Sequence, residues 1–444
     1  AEDIARHLAT RAFRRPVTDD DLAWLMPFYE MGRAEDGGFD AGVRELVTAV
    51  LASPDFLYRA IETAPEPDAP RPLDDLELAS RLSFFLWSQV PDEELITLAA
   101  EGRLSDPAII EAQVARMLDD PRAQSLVENF ALAWLNLDEL EQVVPDDPRF
   151  TDAMRANFET EIRLFLASVL LEDRSVLDLL TADHTFVNEA LARHYGIGGV
   201  LGPQFREVAI DDPNRFGLLG KGAVLLRTSY GDRTSPVLRG AWILDRILGT
   251  PPSPPPPDVV TDLSIGEDEI PTTVRTRLEK HRESPNCNGC HGLIDPPGLA
   301  LENFDAIGQW RETTREGLPI DSAGVLGDGT PVGGPIELRQ ALLDLLPVDL
   351  LLAAEQAQGA RGRNPETVHR LGAEVLADGR TQHGTAVAVA GVVAIGLAGC
   401  GGDDDNPAGP DGGNTVVDVR DGTWEIVTTT TYTGDDPACI QPQE

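Results

Sequence analysis

Cysteine is scarce in this chain, with four in 444 residues. A polypeptide of that length buries enough core to stand without disulfide staples, so the scarcity costs nothing in stability. Basic residues are also few: 36 Lys and Arg stand against 75 Asp and Glu, for a formal charge of -39 spread along the chain. Nucleic acid and anionic membrane surfaces would repel such a field, which leaves a soluble acidic protein as the plain reading. No repeat of solenoid period is visible. Paired catalytic carboxylates, a Ser-His-Asp order and a phosphate-cradling glycine loop are all missing, so neither a hydrolase nor a nucleotide enzyme is indicated.

A long hydrophobic run is lacking too. The apolar stretch at 385–398, in "RTQHGTAVAVAGVVAIGLAGCGGDDDNPAGPDGGN", is shorter than the roughly 20 residues a spanning helix needs. Arg380 and His383 before it, and Leu397-Ala398-Gly399-Cys400 at its end, instead give it the grammar of a bacterial lipoprotein signal, with Cys400 as the acylated residue. Such a signal is out of place inside a mature chain, so 345–444 is read as an atypical tail from a frameshift or fusion. The other end, "AEDIARHLATRAFRRPV", starts without methionine on an amphipathic helix and reads as a cut edge.

What is present is mainly helical patterning. Thr18 followed by Asp19, Asp20 and Asp21 resembles a capping box at a helix start, with Leu22, Leu25, Met26 and Tyr29 at helical spacing. A second helix is expected over 40–52, and "TAPEPDAPRP" at 63–72 breaks the chain into subdomains. Four helices are expected over 74–140, with Phe84, Phe85, Trp87, Phe130 and Trp134 as core. Further helices are expected at 152–171, 188–194 and 236–248, the last opened by Ser235 and Pro236. Residues 205–210 and 218–226 read as strand-like. "GTPPSPPPPDVV" is a stiff polyproline spacer, and a helix over 271–283 leads on to "CNGCH". The expected fold is thus mainly α: helical bundle-like domains, then a small helical c-type cytochrome-like module with minor β. Domain limits fall at 1–64, 73–200, 201–344 with a linker at 251–257, and 345–444.

Chemistry concentrates in Cys287, Cys290 and His291, a C-x-x-C-H. Covalent haem attachment needs two thiols three residues apart, with a histidine directly after the second to reach the iron. Half a zinc site, a thioredoxin-like redox pair and chance compete with that reading. Zinc wants a second Cys or His pair that the chain does not cleanly offer, and a redox pair wants a βαβ setting. The expected cofactor is therefore one haem c, with His291 as the proximal iron ligand.

The distal ligand is unknown. No methionine follows Met154, so His281, His184, His194, a methionine from the helical domain, or no ligand at all are the choices. His281 reads as a surface or supporting histidine. The turn "IDPPG" at 294–298, which includes Pro297, is expected to offer a backbone carbonyl to the free ring nitrogen of His291. Trp310 and Arg311 are expected beside haem propionates, against the competing readings of a connecting turn and a solvated charge. Glu302 and Asp305 in "LENFD" read as cap or surface residues.

Several long stretches then carry a resemblance. "AFRRPVTDDDL", "LASRLSFFLWSQVPDEEL", "TFVNEALARHYGI", "RTSPVLRGAWILDRILGTPPSPPPPDV" and "CNGCHGLIDPPGLALENFDAIGQWR" together resemble the multi-domain planctomycete and myxobacterial proteins of the DUF1595, DUF1592 and DUF1588 type. These carry PSD and cytochrome C-like PSCyt3 domains. The resemblance implies a secreted or periplasmic c-type haem protein of no settled activity, with Cys287 and Cys290 holding the haem and His291 on its iron. It runs to about residue 343, after which "LLPVDLLLAAEQAQGARGRNPETVHR" lacks the Tyr-Ala-Leu-Gly-Arg-like motif of the family's last domain.

The functional expectation is an extracytoplasmic protein that transfers electrons or forms part of an oxidoreductase, with a redox protein as partner and no nucleic acid. A helical scaffold or binding protein with structural or no haem, and a haem enzyme acting on peroxide or an organic substrate, are the alternatives. The expected location is the periplasm, the exterior or the cell envelope, with membrane association only through Cys400.

Overall fold

The computed structural model describes residues 1–58, 73–172, 174–253 and 273–346, and the backbone of two strands at 414–420 and 423–429. The linker at 63–72, the spacer beyond Ser253 and the lipobox-like segment with Cys400 lie outside the described residues. The described chain is mainly helical with short antiparallel strands, as the patterning indicates.

Helices α1 (Glu2–Phe13), α2 (Asp19–Asp36), α3 (Phe39–Ala52) and the single turn α4 (Pro54–Leu57) form the first cluster. Thr18 caps α2 in a true capping box: its hydroxyl accepts from the Asp21 amide, and the Asp21 carboxylate accepts from the Thr18 amide. Ala5, Ala9, Leu25 and Leu46 make a core without exposed surface.

Helices α5 (Asp75–Trp87), α6 (Glu93–Ala100) and α7 (Pro107–Leu118) follow, then a wider π turn at Leu126–Ala131 that runs into α8 (Leu132–Trp134). Trp87 is the buried centre, its indole N–H donating to the Met117 carbonyl and the Arg122 guanidinium lying 3.4 Å above its ring. The other expected core aromatics, Phe84, Phe85, Phe130 and Trp134, are half-buried. Phe130 packs edge-on to Phe85 and stacks on Trp134 at the margin of the cluster.

A single larger core then runs from Val127 to Leu342, across the middle of the chain. Its elements are α9 (Asp152–Leu170), α10 (Asp178–Thr181), β1 (His184–Val187), α11 (Glu189–Tyr195), β2 (Arg206–Ala209), α12 (Gly222–Arg227) and α13 (Pro236–Trp242), which winds on as a π turn at Ile243–Ile247. After them come α14 (Val274–Arg282), α15 (Pro285–Leu299), the ribbon of β3 (Gly324–Val325) with β4 (Pro331–Val332), and α16 (Pro335–Leu345). Strands β1 and β2 pair antiparallel with His184 opposite Ala209. The strand-like reading of 218–226 is corrected: a 3-10 turn at Leu218–Gly220 leads into α12. A continuous apolar run fits a buried strand and a buried helix equally, and here every residue from Gly222 to Leu226 is buried on all sides.

Buried charge ties this core together in a way that no local pattern announces. The Glu161 carboxylate accepts from the Thr185 hydroxyl and the Tyr195 phenol, each at 2.5 Å. The Lys221 ammonium donates to the His184 carbonyl at 3.0 Å and sits over the Phe165 ring. Burial raises the Glu161 carboxyl above its ordinary range and pulls the Lys221 ammonium down to about 8. Arg239, without exposed surface, donates to the carbonyls of Leu301, Phe304 and Asp305 and so holds the loop after α15 in place.

The strands β5 (Asn414–Arg420) and β6 (Thr423–Thr429) form a separate antiparallel hairpin, with Asn414 opposite Thr429. Among the described residues no helix is long and apolar enough to cross a membrane.

Candidate functional site

The C-x-x-C-H lies on the first turns of α15, which Pro285 opens at a position where its missing N–H leaves no bond unmade. Cys287, Cys290 and His291 are at i, i+3 and i+4, so one face of the helix carries all three. Both thiols are free, Cys287 half-buried and Cys290 exposed.

The feeding helix ends at Arg282 with Glu283 as its C-cap, where the patterning puts it, but the "IDPPG" turn is absent. Residues 294–298 are instead the helical, buried second half of α15, with Pro296 and Pro297 inside it. Tertiary packing overrides the local preference here. A Cβ on Gly298 would stand 1.7 Å from the Pro236 carbonyl oxygen, and one on Gly240 would stand 1.7 Å from that of Ile294. The glycines let α13 and α15 cross backbone on backbone, and that contact holds the segment helical despite its two prolines.

The partner of the His291 ring changes with it. No backbone carbonyl of the segment meets Nδ1; the Asp295 carboxylate does, with Oδ1 at 2.9 Å, one helical turn on. Asp295 has no exposed surface, and its other oxygen lies 3.6 Å from the Arg282 guanidinium without a hydrogen bond. Residue typing missed Asp295 because "DPP" reads as a turn; the signal that finds it is His followed by Asp at i+4, once the segment is taken as helix.

His281 sets its ring edge-on to His291, with centroids 4.8 Å apart. Two imidazoles that share an iron need centroids roughly 6 Å apart, given metal–nitrogen bonds of about 2 Å. His281 therefore stands beside His291 rather than opposite it. The other expected distal groups are committed elsewhere. His184 Nε2 accepts from Arg174 at 2.8 Å, and His194 Nε2 donates to the Ile307 carbonyl at 2.6 Å. Met117 has no exposed surface within the second cluster. Among the described residues no three His, Cys, Asp or Glu side chains gather as a metal cage.

Trp310 is partly exposed and packs edge-on to Phe304. The Arg311 guanidinium, expected beside propionates, is bound to the Glu302 carboxylate at 2.6 Å and to the Thr234 hydroxyl at 3.1 Å. Glu302 is buried, which corrects its reading as a surface residue; it anchors Arg311 from below. Asp305 caps the following turn by accepting from the amides of Ile307 and Gln309. Pro297 lines an apolar groove of about 460 Å³ with Leu244, Leu248, Cys290, Leu293 and Leu345. That volume falls within the range of ordinary cofactor sites.

Two features of α15 test whether a haem suits these residues. Gly289 and Gly292 lie inside the helix, where glycine costs about 1 kcal/mol relative to alanine. A Cβ on Gly289 would touch nothing, and one on Gly292 would meet only the Asn288 side chain. The protein's own packing thus gives no reason for either glycine, and Gly289 lines the groove beside Cys290, where a missing side chain leaves room for a flat group. The donor set agrees: two free thiols, and an imidazole whose Nδ1 is held by a carboxylate so that Nε2 is left for a metal. The residues fit the group.

Three family models match the chain in order: PSD5, a protein of unknown function (DUF1595), over 1–60; PSD4, a protein of unknown function (DUF1592), over 73–197; and PSCyt3, a protein of unknown function (DUF1588), over 215–314. The chain belongs to the DUF1595, DUF1592 and DUF1588 family. The C-x-x-C-H, Asp295 and the Arg311–Glu302 pair all fall within the DUF1588 match. No curated protein and no solved structure matches the chain.

Proposed function

We propose that the DUF1588 region carries one covalently bound haem c and that the protein transfers electrons, or forms part of an oxidoreductase, outside the cytoplasm. The observation that carries this is the face of α15: Cys287, Cys290 and His291 together, with Cys290 and the unpacked Gly289 lining the apolar groove. In this reading Cys287 and Cys290 form the thioethers and His291 Nε2 ligates the iron. The PSCyt3 name is in keeping with it. Bound there, haem supplies one-electron transfer, and with an open axial position it also supplies peroxide or gas chemistry. A redox protein is the expected partner, and location in the periplasm or envelope goes with covalent haem attachment outside the cytoplasm, in which each reduced thiol adds across a haem vinyl group.

Expression with a periplasmic export signal and a haem-maturation system tests the proposal. The expected product has one haem per chain, a mass increase that survives denaturation, and no free thiol at 287 or 290. Cys287→Ala and Cys290→Ala each remove one thioether, and the double variant removes the covalent haem. Wild-type protein with both thiols free and no haem absorbance would end the proposal and favour a helical binding protein. A low-spin spectrum indifferent to carbon monoxide assigns electron transfer, and a carbon-monoxide-sensitive one assigns catalysis.

A further inference from the structure

We infer that Asp295 is the positioning residue of His291: it holds the ring in the Nδ1–H tautomer and makes Nε2 a stronger donor, biasing a bound iron toward its oxidised state. The inference rests on the haem reading for its redox part and on the protein alone for its tautomer part. Three observations carry it. The Asp295 carboxylate lies 2.9 Å from His291 Nδ1, which must therefore donate. The carboxylate is wholly buried, so water does not weaken its pull on the Nδ1 proton. Its second oxygen accepts no hydrogen bond and lies 3.6 Å from the Arg282 guanidinium.

Geometry makes the contact rigid. His291 and Asp295 are one turn apart on a single helix. Immediately after Asp295, Pro296 and Pro297 have fixed φ, and Gly298 is pressed against the Pro236 backbone. The backbone that carries Asp295 therefore cannot shift without disturbing the α13–α15 crossing. A neutral backbone carbonyl at Nδ1 would orient the ring equally well. A carboxylate adds negative charge to the imidazole, and the higher iron oxidation state gains more from that charge than the lower one does. Arg282 offsets part of the charge from the far side.

The test uses the haem-loaded full chain and, separately, the haem-free chain. Asp295→Asn keeps a hydrogen-bond acceptor and loses the charge; it is expected to load one haem and to move the ferric–ferrous balance at least tenfold toward ferrous, a rise of 59 mV in midpoint potential for one electron. Arg282→Gln is expected to move it the opposite way, and that variant keeps the inference falsifiable if Asp295→Asn does not fold. The iron–histidine stretching frequency should fall in Asp295→Asn. In the haem-free protein, nitrogen NMR of His291 should show the Nδ1–H tautomer in the wild type and a redistributed one in Asp295→Asn. Unchanged potentials in both variants would overturn the redox part, and an Nε2–H tautomer in the wild type would overturn the positioning part. Wild-type protein that takes up no haem would overturn the proposed function instead, with the NMR arm still deciding the role of Asp295.

Discussion

Replacing Gly298 by alanine adds one methyl group at the tightest point of the α13–α15 crossing. The new Cβ would lie 1.7 Å from the Pro236 carbonyl oxygen, 2.5 Å from its carbon and 2.8 Å from its Cα, all of them backbone atoms with no rotamer to yield. A carbon–oxygen contact needs about 3.3 Å, so the helices must part by roughly 1.5 Å. A gap of that size forfeits much of the dispersion energy along the seam, where Ile294, Leu299 and Trp242 are buried. Overpacking of this kind costs about 3 kcal/mol, and the better helix propensity of alanine returns less than about 1 kcal/mol of it. Gly289→Ala on the same helix is the control. Its Cβ meets nothing, so it should leave the haem-free protein equally stable or up to about 1 kcal/mol more stable. Urea unfolding followed by tryptophan fluorescence reads both, with m-values compared to confirm that the same transition is measured. A Gly298→Ala protein within about 0.5 kcal/mol of wild type, or a Gly289→Ala protein as damaged as Gly298→Ala, would refute the reasoning.

Three further outcomes follow from the buried polar groups. Burial holds His194 neutral, below the ordinary histidine value, while an unfolded histidine takes a proton as pH falls through about 6.5. The unfolded state therefore binds more protons below that pH and stability drops as pH falls; His194→Gln should flatten the slope between about pH 6.5 and 5 in pH-dependent denaturation. Arg239→Met leaves the carbonyls of Leu301, Phe304 and Asp305 without their donor, and should cost on the order of 3 kcal/mol in the same urea assay; a cost under about 1 kcal/mol would mean water replaces the guanidinium. Arg311→Ala strands the buried Glu302 carboxylate and should cost about 3 kcal/mol. If it instead left stability intact and loosened a bound haem, the propionate role would return.

Legibility followed the range of the forces involved. Capping at Thr18, the helix opened by Ser235 and Pro236, and the spacing of Cys287, Cys290 and His291 depend on residues within one or two turns, and they stand where the patterning puts them. The 218–226 segment and "IDPPG" depart from their local patterning because each is settled by what packs on it, not by its own residues. Glu302 and Arg311 look like surface charges one at a time; only their meeting across a loop makes one a buried anchor for the other.

The sequence by itself determined the mainly helical class, the family and the three residues at which haem chemistry would begin, because periodicity and motif spacing are local properties. Only the tertiary structure decided what stands behind His291. Asp295 faces its Nδ1 because α15 stays helical through two prolines, and it does so because two glycines let α13 lie against it at backbone distance. That contact joins residues some sixty positions apart, beyond the reach of any window along the chain.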